Sequence, residues 1–149
     1  MPALAREPQP LRLRLAAPAA PSQLRLVRIR MAAWAARAGL DPDTVDDLVL
    51  ATHEALANVI DHAYPDGNGD ALLDADCVDG EVVVVVRDHG RWRRPAPDPG
   101  WRGRGLVIIN GLAPYVDVRH GDTGTTVEMR WPARPAGRSR VAGTGIRSR

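Results

Sequence analysis

Two residues one helical turn apart, Glu54 and Asn58, set a carboxylate beside a carboxamide. A carboxylate above a carboxamide can serve as general base and metal ligand. Both fall in the stretch 43–63, whose apolar residues recur at helical spacing. At 100° per residue, Val45, Leu48, Val49, Leu56, Val59, Ile60 and Ala63 share one broad arc. Asp47, Asn58 and Asp61 gather around Glu54, with His62 at the border of the apolar side. A solvated polar face has the same pattern, and spacing alone does not separate the two readings. The pair His53-Glu54 begins like the zinc motif HExxH, but position 57 is Ala, so that site is excluded.

Composition narrows the chemistry further. The chain has no lysine; all 20 basic residues are Arg. A P-loop needs the Lys of GxxxxGK[ST], and a eukaryotic-type protein kinase needs its strand Lys, so both are excluded. A length of 149 residues fits one domain with a self-sufficient core. No apolar run approaches the roughly 20 residues that span a bilayer. The opening MPALAREPQPLRLRL lacks the apolar centre of a secretory signal. Cys77 is the only cysteine, which rules out an intrachain disulfide and a cysteine-rich zinc site and points to a reducing cytoplasm. Residues 1–30 carry six Arg and one Glu, and residues 132–149 five Arg and no acid; the body between has nine Arg against 17 acids, a balance of −8. An acidic body with basic ends argues against a DNA-binding core.

The elements that must position these residues follow from local signals. LRLRL at 11–15 alternates and predicts a half-buried strand, followed by an Ala/Pro connector over 16–21. Ser22 is the expected N-cap of a helix running to Ala38 and stopped by Gly39. Asp41-Pro42 starts a second helix that runs to about Tyr64, where residues 65–69 make a turn. Strands are expected over 71–78 and 81–87, joined at Asp79-Gly80, the second a β-branched central strand. A loop over 89–102 leads to a short helix over 103–111, then a strand pair, 115–119 and 125–131, around Gly121-Asp122. This order predicts one α+β domain over 10–131, a two-layer sandwich with a mixed, mostly antiparallel sheet and helices on one face. Residues 1–9 are expected to be flexible and the Arg-rich tail 132–149 disordered.

Four stretches, in order, carry a family resemblance. EALANVIDHAY (54–64) resembles the N-box of the GHKL, or Bergerat-fold, ATPases, and looks closest to the serine kinases that act as bacterial anti-sigma factors. VRDHG (86–90) resembles their strand-ending Asp-x-Gly box, GRGLVIING (103–111) their second glycine box and GTTVEM (124–129) their last strand. The resemblance covers roughly residues 40–131. It implies a histidine-kinase-like ATPase domain in which Asn58 ligates a Mg²⁺ bridging the ATP phosphates and Glu54 is the general base on a Ser/Thr hydroxyl or water. Asp88 would accept the exocyclic N–H of adenine, although a strand-end cap reads the same way, and Gly90 would let the backbone approach the base. Gly103 and Gly105, ahead of the helix proper, would hold phosphates with free N–H groups, aided by Arg104 and Arg102. Thr125 and Thr126 would bond near the adenine, directly or through water. His62 reads either as a packed helix residue or as a phosphate contact.

Two features depart from the larger family members. DHGRWRRP has no second glycine soon after Gly90, and the segment to Gly103 is short for a large ATP lid. Both suit the small anti-sigma type. The resemblance implies a cytoplasmic homodimer that binds a sigma factor and phosphorylates a STAS-type antagonist, with neither DNA nor membrane as partner. The alternative is a nucleotide-gated binding module of the same fold that transfers no phosphate.

Overall fold

A computed structural model describes residues 6–65, 67–91 and 100–133, the side chains of 100–105 excepted. The elements are β1 (Leu11–Ala17), α1 (Pro21–Arg37), α2 (Pro42–His62), β2 (Gly69–Val78), β3 (Glu81–Asp88), α3 (Gly100–Leu112), β4 (Tyr115–Gly121) and β5 (Gly124–Pro132). The strands form one sheet in the order β1-β2-β3-β5-β4. Every neighbouring pair is antiparallel, a simpler sheet than the mixed one expected.

Period-two alternation decides which face the helices cover. Ala71, Leu73 and Ala75 on β2, Val82, Val84 and Val86 on β3, and Val127, Met129 and Trp131 on β5 are buried against the helices. The opposite face is a lattice of opposite charges. Arg14 meets Asp70 at 2.7 Å, Arg12 and Arg87 flank Asp74 at 3.5 and 3.4 Å, and Arg130 reaches Glu128 at 3.2 Å and Glu81 at 3.6 Å. Such exposed pairs contribute little each, but they make this face a solvated one and leave the chemistry to the helix side.

α2 lies between α1 and α3 and carries the most core positions. Its start is the expected one: Asp41 Oδ1 accepts from the Thr44 N–H at 2.8 Å, and Pro42 takes the first helical position. It ends at His62, two residues before the predicted Tyr64. The start of α1 differs from expectation. Pro21, not Ser22, opens the helix, because its fixed φ suits the first helical position; Ala20 is then the cap, and the Gln23 carboxamide accepts its N–H at 2.8 Å.

Two tryptophans lock the ends of elements. Trp34, 1% exposed, donates its indole N–H to the Gln9 carbonyl at 2.8 Å, so the last of the N-terminal residues expected to be flexible is tied to α1. Trp131 donates to the Leu112 carbonyl at 3.0 Å and fastens the end of α3 to β5. The β2–β3 turn is as expected: Asp79 and Gly80 both have positive φ, 50° and 77°, the signature of a type I′ hairpin. The Ala133 N–H then donates to the Gly80 carbonyl at 2.8 Å. Residues 1–5 and the tail from 134 onward lie outside the described residues.

Candidate functional site

The site forms where the end of β3 meets α2. β3 runs through five valines, Val82–Val86, and after the exposed Arg87 ends at Asp88, which is 3% exposed. Its Oδ1 accepts the Gly90 N–H at 3.0 Å, a local turn that fixes the carboxylate where the chain leaves the sheet. Gly90 is there for space. A Cβ at this position would collide with the backbone carbonyl of Ala63 at the end of α2. Gly124 plays the same part from the other side: its φ is 134°, and a Cβ there would strike the Asp88 carbonyl.

Tyr64 holds this corner together. Its hydroxyl donates to the Asp70 carbonyl at 2.6 Å and accepts the His89 N–H at 3.0 Å, linking the chain just beyond α2 to both β2 and the segment following Asp88. Its ring packs over Gly69 so closely that a Cβ there would overlap it. Tyr64→Phe keeps the ring and removes both bonds. We expect it to lower stability by about 1–2 kcal/mol, read as a lower urea midpoint with unchanged m-value; an unaltered midpoint would show that the phenol carries no stability.

Together these elements shape an open pocket at the end of the sheet. Ala55, Asn58 and Val59 line it from α2, Val86 and Asp88 from β3, Leu106 from α3, Val118 and His120 from β4, and Thr125 and Val127 from β5. Apolar walls bracket four polar groups. The pocket therefore suits a flat heteroaromatic ring carrying an amine, with Asp88 as acceptor. Asn58 offers one hard oxygen, the kind of single protein ligand that Mg²⁺ takes alongside phosphates and water. The donor set fits both groups.

Of the residues expected from sequence, Asn58, Asp88 and Thr125 come together on this wall. Gly90 sits immediately beyond, buried beneath the end of α2. Glu54 is half-buried one turn before Asn58, and His62 half-buried one turn after it; neither lines the pocket. Thr126 needs correction: it follows Thr125 in a strand, so alternation turns it to the open face, opposite Arg87 and Arg119. The glycines of the second box also move. α3 begins at Gly100, so Gly103 falls inside the first turn and Gly105 in the second, and neither precedes the helix. The N–H groups of α3 that no helical carbonyl can reach are those of its first turn. The side chains of Arg102 and Arg104, and most of the expected loop over 89–102, lie outside the described residues.

His120 was missed because strand β4 was expected to stop at Arg119. The β4–β5 turn lies at Asp122-Thr123, and pairing runs on to Gly121 and Gly124, which brings His120 opposite Thr125. Its Nδ1 is hydrogen-bonded to the Thr125 hydroxyl. A strict count of alternating residues back from the turn would have found it.

Known proteins share this architecture. Residues 17–131 match the family described as the histidine kinase-like ATPase domain. A serine-protein kinase RsbW of Halalkalibacterium halodurans is 28% identical over 136 residues, covering 81% of this chain and 83% of its own. That of Bacillus thuringiensis is 27% identical over 127 residues, covering 75% and 79%. The crystal structure of the RsbU and RsbW domains of a Mycobacterium tuberculosis protein aligns with a TM-score of 0.64 at 27% identity, over 85% of this chain and 34% of that one.

Proposed function

The chain belongs to the histidine kinase-like ATPase domain family, and from that membership we propose that it is an ATP-dependent serine/threonine protein kinase of the anti-sigma-factor type. The observation that carries the proposal is the convergence of Asn58 and Asp88, from a helix and a strand end, on one pocket with apolar walls. The printed names of its relatives, serine-protein kinase RsbW, support the same reading.

In this reading Asp88 accepts the adenine amine, and Val59, Val86 and Val127 bracket the ring. Asn58 holds Mg²⁺, which when bound offsets the phosphate charge. The first-turn N–H groups of α3, Gly103 included, face the phosphates, with Arg104 adding charge; Gly105 keeps the next turn slim. Glu54 takes the proton of the attacking serine or threonine hydroxyl as its oxygen bonds to the γ-phosphorus and ADP leaves. His62 stands beside that route. The working unit is the domain over 10–131, a cytoplasmic homodimer that binds a sigma factor and phosphorylates a STAS-type antagonist. Among the described residues, no helix is long and apolar enough to cross a membrane.

A second reading, the nucleotide-gated module that transfers nothing, has one observation in its favour: Glu54 stands off the pocket wall. Two measurements separate them. Mg·ATP at a hundred times its Kd should raise the melting midpoint by about 5–10 °C. Radiolabelled γ-phosphate should then pass to a Ser or Thr of a co-purified STAS-type protein. A thermal shift without transfer selects the binding module, and no shift removes both readings.

A further inference from the structure

Thr125 stands between two polar neighbours on the pocket face. Asp88 is its partner across the β3–β5 ladder and His120 its partner across the β4–β5 ladder, so the three form a row over adjacent strands. The His120 Nδ1 and the Thr125 hydroxyl are hydrogen-bonded, in a sense set by the imidazole tautomer. Thr125 is 6% exposed, which leaves its hydroxyl few other ways to turn. We propose that His120 is a specificity-setting positioning residue: acting through Thr125, it makes the pocket favour a purine with a 6-amino group over one with a 6-oxo group. This rests on the nucleotide reading of the pocket given above.

The hydroxyl has a single hydrogen. When the imidazole is neutral with its proton on Nε2, Nδ1 accepts that hydrogen, and Thr125 presents lone pairs to the pocket beside the Asp88 carboxylate. Two acceptors side by side match the two N–H donors of an exocyclic amine. In the other tautomer Nδ1–H donates to the Thr125 oxygen, and the threonine hydrogen swings into the pocket. A donor then stands where an amine needs an acceptor, and a ring carbonyl gains a partner. The preference for the amine therefore depends on the His120 ring, acting through the Thr125 hydroxyl. Asp88 is the other ionisable group among the described residues lining the pocket. On α2, Glu54 and His62 flank the lining turns; on β4, Asp117 and Arg119 alternate to the open face; Asp122 stands in the adjoining turn.

The test compares Mg·ATP with Mg·ITP, whose 6-oxo ring also carries a hydrogen on N1. Their Kd values are measured by calorimetry on the full chain, for the wild type, His120→Ala and Thr125→Val. His120 is exposed, and Val matches Thr in shape, so both variants keep the fold. The wild-type preference for ATP over ITP should fall by roughly tenfold in both variants. A preference retained in full in His120→Ala overturns the proposal, as does a wild type that binds both nucleotides equally. If neither nucleotide binds, the nucleotide reading itself fails and takes the proposal with it.

Discussion

Glu54→Gln is expected to lower phosphoryl transfer by 10²–10⁴-fold, the usual range for loss of a general base, while Mg·ATP binds within about threefold of wild type. The carboxamide keeps the shape and hydrogen-bonding reach of the carboxylate but has no site for the hydroxyl proton. Binding should be spared because Glu54 does not line the pocket; it sits one turn nearer the start of α2 than Asn58. The split is what matters. Single-turnover transfer and equilibrium binding, measured on the same variant, should part company. A variant that transfers at the wild-type rate would remove Glu54 from the mechanism.

Asp88→Asn should weaken Mg·ATP binding by roughly a hundredfold or more, since a hydrogen bond to a charged group is lost and a clash of donors replaces it. The geometry explains why so small a change is so costly. Asp88 Oδ1 is engaged by the Gly90 N–H at 3.0 Å. Asparagine would keep that bond through its own oxygen and so turn its NH₂ toward the pocket, donor against the adenine amine. At 3% exposure little water is at hand to relieve the mismatch. The fold should persist, because the turn at Gly90 is preserved, and a melting curve without nucleotide checks this. Wild-type affinity in the variant would mean that Asp88 only caps the strand.

Much of this site could be read from the residues, for reasons that are local. Asp41-Pro42 announces α2 because a side-chain acceptor and a fixed φ meet the needs of a helix start within two residues. Asp79-Gly80 announces the hairpin because few other pairs accept positive φ twice. Asn58 was singled out by its place one turn from Glu54 together with the ordered family motifs, and Asp88 by closing a valine-rich strand within one of those motifs. The failures are equally physical. Thr125 and Thr126 are identical in type, and only the pleat distinguishes them. Gly100 and Gly103 are both plausible openings for α3, and propensity does not choose between them. His120 depends on where a tight turn falls, and a shift of one residue decides whether a side chain belongs to the pocket. Tyr64 could not have been assigned its role at all. Both of its hydrogen bonds run to backbone atoms brought near only by the finished sheet.

The close contacts at Gly90 and Gly124 bear on how the pocket accommodates a guest. A side chain pressed against a neighbour can change rotamer and yield; main chain pressed against main chain cannot. The end of α2, the end of β3 and the start of β5 meet in that second way. The corner that carries Asp88 therefore behaves as an anvil, and adjustment to a ligand falls to the facing wall, where α3 contributes the half-buried Leu106 and β4 the exposed Val118. A change on that second wall moves a side chain, while a side chain added at either glycine must displace main chain.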